Sequence, residues 1–152
     1  MILIKQAGVY VNILNCKLKK YLAEVFKKNG VNLTAEQYLV MDTLWNEGTL
    51  TQQAIAFIIQ KDKNSVTQFI DNLEKKGLVT RSVAKEDRRV NNIVVTKEGM
   101  ALKDSTKQLA IDTMNQVLAG IPEDDLYTFV EVPKKICGNI SDFGKPTEEI
   151  AL

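Results

Sequence analysis

The chain has 152 residues, 45% apolar and 26% charged, enough for one domain with a core and far from the composition of a disordered segment. Histidine is absent and the two cysteines, Cys16 and Cys137, lie far apart, so no metal, cofactor or disulfide framework is expected and the enzyme reading starts low. The net charge of +1 hides an uneven distribution, +2 over residues 1–60, +4 over 61–97 and −5 over 98–152, which places a basic block in mid-chain.

Residues from about Val9 to Lys28 read as a helix, with Leu14, Leu18, Tyr21, Leu22 and Val25 on one stripe and Gly30 at its end. Thr34-Ala35-Glu36-Gln37 is a capping box that opens a second helix, running to about Asn46. Its apolar positions, Tyr38, Leu39, Val40, Met41, Leu44 and Trp45, go nearly all the way round, as in a helix packed on two sides. Thr51 caps a short helix from Gln52 to about Ile59, and Asp62 caps another in which Val66, Phe69, Ile70 and Leu73 follow helical spacing. Gly77 is a left-handed C-cap with Leu78 as its apolar contact. Two short helices joined by a brief turn, the second polar near its start, form the helix-turn-helix pattern.

Leu78-Val79-Thr80-Arg81, the charged tip Lys85-Glu86-Asp87-Arg88-Arg89 and the run Val90 to Val95 then read as a hairpin, placed where a wing follows a recognition helix. The three arginines, Arg81, Arg88 and Arg89, stand within nine residues of each other in a chain with 17 lysines. Arginine's planar fork suits phosphates, base edges and narrow minor grooves. Thr96 caps a long helix from Lys97 to about Ala119, apolar at Ala110, Met114, Val117 and Leu118. A last helix carries Leu126, Phe129 and Val130, and Pro133 is expected to kink or break it because it lacks an amide hydrogen. The N-terminal apolar stretch is short and followed at once by Lys5, and no run reaches the length of a membrane span, so a cytoplasmic protein without membrane contact is expected.

The order of parts resembles the MarR family over about residues 9–140. The matches are Leu33-Thr34-Ala35-Glu36-Gln37, Asp62-Lys63-Asn64-Ser65-Val66-Thr67, Leu73-Glu74-Lys75-Lys76-Gly77-Leu78-Val79, Asp87-Arg88-Arg89 and Val95-Thr96-Lys97-Glu98-Gly99. The resemblance implies a mainly α fold with a small β-wing. Residues 1–33 would form an N-terminal dimerisation helix, 34–97 the winged helix-turn-helix domain, 98–140 the C-terminal dimerisation helices and 141–152 a tail. It also implies a homodimer on pseudo-palindromic double-stranded DNA, with a small-molecule effector bound between the dimerisation helices and the winged domain. By position, Lys63, Asn64, Ser65, Thr67 and Gln68 would face the major groove, and Arg89, held by Asp87 and flanked by Arg88, would reach the minor groove. Gln68 stands where many relatives carry arginine, and Pro133 is a departure in the last helix.

The function that follows is that of a sequence-specific transcriptional regulator, a repressor relieved by a ligand. Asparagine and glutamine can read adenine bidentately, and threonine can touch a thymine methyl. The alternatives are a redox-responsive regulator of the same fold and a winged-helix module for protein or RNA contact. Cys16 lies in the first helix, as in peroxide-sensing relatives, but about a turn and a half later, with Cys137 as its only conceivable partner. A buried structural thiol is therefore the default for Cys16. Trp45, Tyr38 and Met41 are expected in the core rather than in a ligand pocket.

Overall fold

The computed structural model describes residues 2–83 and 85–143. Residues 144–152, most of the segment assigned above to a tail, lie outside the described residues. In chain order the elements are α1 (Ile2–Lys28), α2 (Ala35–Glu47), β1 (Leu50–Thr51), α3 (Gln52–Ile59), α4 (Lys63–Lys75), β2 (Val79–Val83), β3 (Asn91–Val95), α5 (Lys97–Ala101), α6 (Lys103–Val117) and α7 (Glu123–Phe143). They divide into two compact units, Met1–Met114 and Asn115–Leu152.

Local signals place the helix boundaries of the first unit. Thr34 Oγ1 accepts the Gln37 amide at 3.1 Å while Gln37 Oε1 accepts the Thr34 amide at 3.1 Å, the reciprocal pairing of a capping box. Thr51, Asp62 and Thr96 cap α3, α4 and α5 through the amides of Ala54, Ser65 and Gly99. Each such cap contributes about 1 kcal/mol by satisfying a helix N–H that has no intrahelical partner. Gly77 ends α4 at φ +74°, a conformation an L side chain would strain, and the Leu78 amide returns to Leu73 O at 3.0 Å.

The core of the first unit gathers one face each of α1 to α4 and of the sheet. Val40, Met41, Leu44 and Trp45 of α2 are buried with Ile55 and Ile59 of α3, Val66, Ile70 and Leu73 of α4, and Val79 and Ile93 of the sheet. Phe26 joins them from α1, its ring edge-on to Tyr38 with centroids 5.2 Å apart. Burial, and then the nearby Asp42 charge, push the Tyr38 hydroxyl up to about 12. Trp45 and Met41 are core residues as expected, and the Trp45 indole satisfies its N–H on Gly99 O at 3.1 Å.

The sheet is antiparallel in the order β1-β3-β2. The wing pairs Val79 with Val95 and Val83 with Asn91, and β1, too short to be legible as a strand, pairs Leu50 with Ile93. At the base of the wing the Thr96 amide donates to Leu78 O at 3.0 Å and the Thr96 hydroxyl donates to Gly77 O at 2.6 Å, so the end of β3 is tied to the end of α4.

Three expectations need correction. The first helix begins at Ile2 rather than near Val9, because Gly8 alone does not stop a helix and no proline or cap lies between. The expected helix 97–119 is two helices separated at Leu102. α5 is held at the wing base through Gly99, whereas α6 is held to α2 by Lys107, which reaches Asp42 at 3.5 Å and Asn46 Oδ1. The buried side of α6 is Thr106, Ala110 and Thr113, while Met114 and Val117 are exposed in the single chain. Finally, α7 continues through Pro133 to Phe143 without a break. The one amide hydrogen bond lost leaves the Phe129 carbonyl on an exposed residue, where water can take its place.

Candidate nucleic-acid interface

The turn from α3 to α4 passes through Gln60, which adopts the left-handed conformation (φ 54°, ψ 48°) and lets α4 start at once. Asp62 then holds the first turn of α4, accepting the Ser65 amide at 2.9 Å and the Ser65 hydroxyl at 2.7 Å. Those Ser65 hydrogen bonds hold the Asp62 carboxyl below its ordinary range, so the cap stays charged at neutral pH. At the other end, the Lys76 ammonium donates to Asn32 O at 2.8 Å and to Gln37 Oε1 at 2.7 Å, and its partial burial lowers its pKa. α4 is thus fixed at both ends.

On the polar face of α4, Lys63, Asn64 and Gln68 are exposed and Ser65 and Thr67 are half-buried. The two half-buried hydroxyls are both engaged. Ser65 is spent on the Asp62 cap, while Thr67 donates to Lys63 O at 2.9 Å and accepts from Gln52 Nε2 of α3. Gln52 was not singled out by sequence reasoning. Its only signal was its place directly after the Thr51 cap, in the helix turn that faces the next helix.

The three arginines divide by role. Arg81, on β2, donates to Asp71 at 2.5 Å and Glu74 at 2.9 Å, and its own amide reaches Glu74 Oε2 at 3.2 Å. Both acids belong to α4, so Arg81 is an internal clamp between the wing and the recognition helix rather than a free cation. Arg88 and Arg89 are exposed, Arg89 with 93% of its side-chain surface accessible. Asp87 Oδ1 accepts the Arg89 amide at 2.9 Å and lies 3.6 Å from its Nε, while the Val90 amide closes the turn on Asp87 O at 3.0 Å. An exposed pair of this kind adds little stability; it orients the guanidinium.

These pieces meet in an open cleft of about 390 Å³ lined by the first turns of α3 and α4 and by the wing. Lys63, Thr67 and Arg89 line it together, with Gln52, Gln53 and Asn91, residues that sequence reasoning had missed. Among the described residues that line this cleft none is acidic, and Lys63, Arg81 and Arg89 bring positive charge to it, Arg81 held by Asp71 and Glu74 and Arg89 beside Asp87. Asp87 borders a neighbouring hollow of the wing, and Asn64, Ser65, Gln68 and Arg88 stand outside the cleft.

Cys16 and Cys137 are both free thiols exposed in the single chain. Cys16 lies on the stretch of α1 before Leu18, where every described residue is exposed, so nothing in the single chain packs over it. Among the described residues no group of acids and cysteines could hold a metal ion, and no helix is long and apolar enough to cross a membrane.

Residues 33–90 match the model of the MarR family. Over 128 residues the chain is 25% identical to the transcriptional regulator PapX of Escherichia coli, covering 84% of this chain and 78% of that protein. It is 32% identical over 88 residues to the organic hydroperoxide resistance transcriptional regulator of Bacillus subtilis, covering 58% of this chain and 57% of that protein. Among solved structures, the complex of S. aureus MepR with DNA has the same fold, with a TM-score of 0.80 at 21% identity over 88% of this chain and 97% of that one.

Proposed function

We propose, from the match of residues 33–90 to the MarR family, that the chain is a cytoplasmic member of that family, a sequence-specific regulator of transcription that binds double-stranded DNA as a homodimer. It acts as a repressor relieved by a small-molecule effector, and it is not an enzyme. The observation that carries this reading is the shared cleft that the recognition-helix residues Lys63 and Thr67 and the wing residue Arg89 line together, with no acid among the described residues that line it. Lys63, Asn64, Thr67 and Gln68 address the major groove, where glutamine and asparagine can pair with adenine. Ser65 acts one step removed, by holding the first turn on Asp62. Arg89 enters the minor groove, with Arg88 on the phosphates beside it and Asp87 orienting the guanidinium.

Selection from a random-sequence duplex library, followed by titrations at two salt concentrations, tests this reading. Arg89→Ala is expected to weaken binding to every duplex, to flatten the salt slope by about one, and to lose preference mainly in the A·T-rich flanks. Asp87→Asn is expected to act in the same direction and less. If Arg89→Ala binds all duplexes as the parent does, the wing does not touch DNA and the protein-contact reading replaces this one.

Dimerisation is supported by apolar surface within each unit. In α1, Ile2, Leu3, Ile4, Val9, Tyr10 and Val11 are exposed; in α7, Tyr127, Phe129, Val130, Ile136 and Ile140 are exposed. Exposed apolar surface on this scale marks interfaces. Sedimentation at low micromolar concentration is expected to give about 34 kDa, twice the 17.1 kDa of one chain. A stable 17.1 kDa species would remove the symmetric operator from the proposal.

A further inference from the structure

We infer that Thr67 reads a thymine through its methyl group, and that Gln52 is the positioning residue that makes it do so. This inference rests on the reading of the chain as a DNA-binding regulator and names the chemistry of one of its contacts. A threonine hydroxyl has one proton and two lone pairs. The proton of Thr67 is consumed on Lys63 O at 2.9 Å, one turn back in the same helix, and one lone pair is taken by the Gln52 side-chain amide. The hydroxyl therefore has no proton left for a base acceptor or a phosphate oxygen. It keeps one lone pair, and the remainder of the Thr67 side chain, in the cleft that Thr67 lines with Lys63 and Arg89, is Cγ2, an apolar atom.

The same two bonds hold that methyl in place. Back-bonding to the carbonyl four residues earlier restricts the Thr67 rotamer. Gln52 adds a second constraint from a different helix, 15 residues away in sequence, so the orientation of Thr67 depends on the docking of α3 against α4. In the major groove only thymine among the four bases presents a methyl group, and apolar contact is the way a side chain recognises it. Gln52 touches no base in this scheme and acts through Thr67 alone.

The test is a uracil scan of the tightest duplex recovered from the random-sequence library, since uracil differs from thymine only by that methyl. Parent protein is expected to lose about fourfold in affinity at one thymine per half-site, the value of one buried methyl-sized group. Thr67→Ser keeps the hydroxyl and loses the methyl: it should bind the thymine duplex about fourfold more weakly and ignore the substitution. Thr67→Val keeps a methyl and loses the hydroxyl that both bonds hold, and should show the same reduced uracil sensitivity as Gln52→Ala. Gln52→Ala should reduce that sensitivity at the same thymine, and in the Thr67→Ser background, where no methyl is left to position, it should change the thymine-to-uracil ratio no further. Circular dichroism melts of each variant control for folding. Uracil sensitivity that persists in Thr67→Ser, or that stays at the parent's value in Gln52→Ala or Thr67→Val, overturns the inference. So does a parent scan in which no thymine responds. A parent that binds no duplex at all overturns the regulator reading and this inference with it.

Discussion

Phe26→Ala is expected to lower the unfolding free energy by about 3–5 kcal/mol, the range for deleting a fully buried phenyl ring. Phe26 has no accessible surface, and it is the only residue of the 27-residue α1 in the buried class. Its ring meets Tyr38 of α2 at an interplanar angle of 65°, and the chain leaves α1 through Val31, whose amide donates to Phe26 O at 2.9 Å. Removing the ring therefore opens a cavity beside α2 and unfastens α1 from the winged domain together. Denaturant titration reads the first effect and limited proteolysis within α1 the second. A loss below about 1 kcal/mol would mean that the site collapses around the gap or that α1 is held elsewhere.

Gly99→Ala is the second large effect, and it arises from excess rather than from a gap. A Cβ at Gly99 would stand 2.3 Å from Leu78 O and 2.7 Å from Val95 Cγ1. The nearer atom is a backbone carbonyl that already accepts the Thr96 amide, so it cannot swing away as a side-chain end would. The wing base must open, and the Trp45 bond to Gly99 O opens with it. A loss of about 3 kcal/mol is expected, the upper part of the range for overpacking. Gly8→Ala in α1 is the control. It meets nothing within 4 Å in a helix, and is expected to stabilise by up to about 1 kcal/mol because glycine is the costlier helix residue. Thermal melts of the two variants side by side decide it; equal melting temperatures would contradict the close approach at Leu78.

The wing base also couples stability to the proposed function. Arg81 clamps β2 to Asp71 and Glu74 of α4, and Thr96 ties β3 to Gly77 at the end of the same helix. The recognition helix and the wing therefore move as one body, which keeps Lys63, Thr67 and Arg89 in a single cleft.

What the sequence determined by itself is local. The caps at Thr34, Thr51, Asp62 and Thr96, the glycine end at Gly77 and the spacing of Val66, Ile70 and Leu73 each depend on residues within about two turns of one another, so a linear pattern carries them. The wing's two strands and charged tip were legible for the same reason, since a hairpin pairs neighbours in sequence. The tertiary structure alone decided which side chains are spent. Arg81, Arg88 and Arg89 look alike in a string of letters, yet only packing on α4 gives Arg81 two carboxylates. Thr67 reads as a free hydroxyl until α3 brings Gln52 against it. The division of one expected helix at Leu102 and the threonine-lined buried face of α6 likewise follow from where α2 and the wing base stand. Periodicity records which residues are apolar, whereas burial and hydrogen bonding are set by partners distant in sequence, and those partners are known only once the chain has closed on itself.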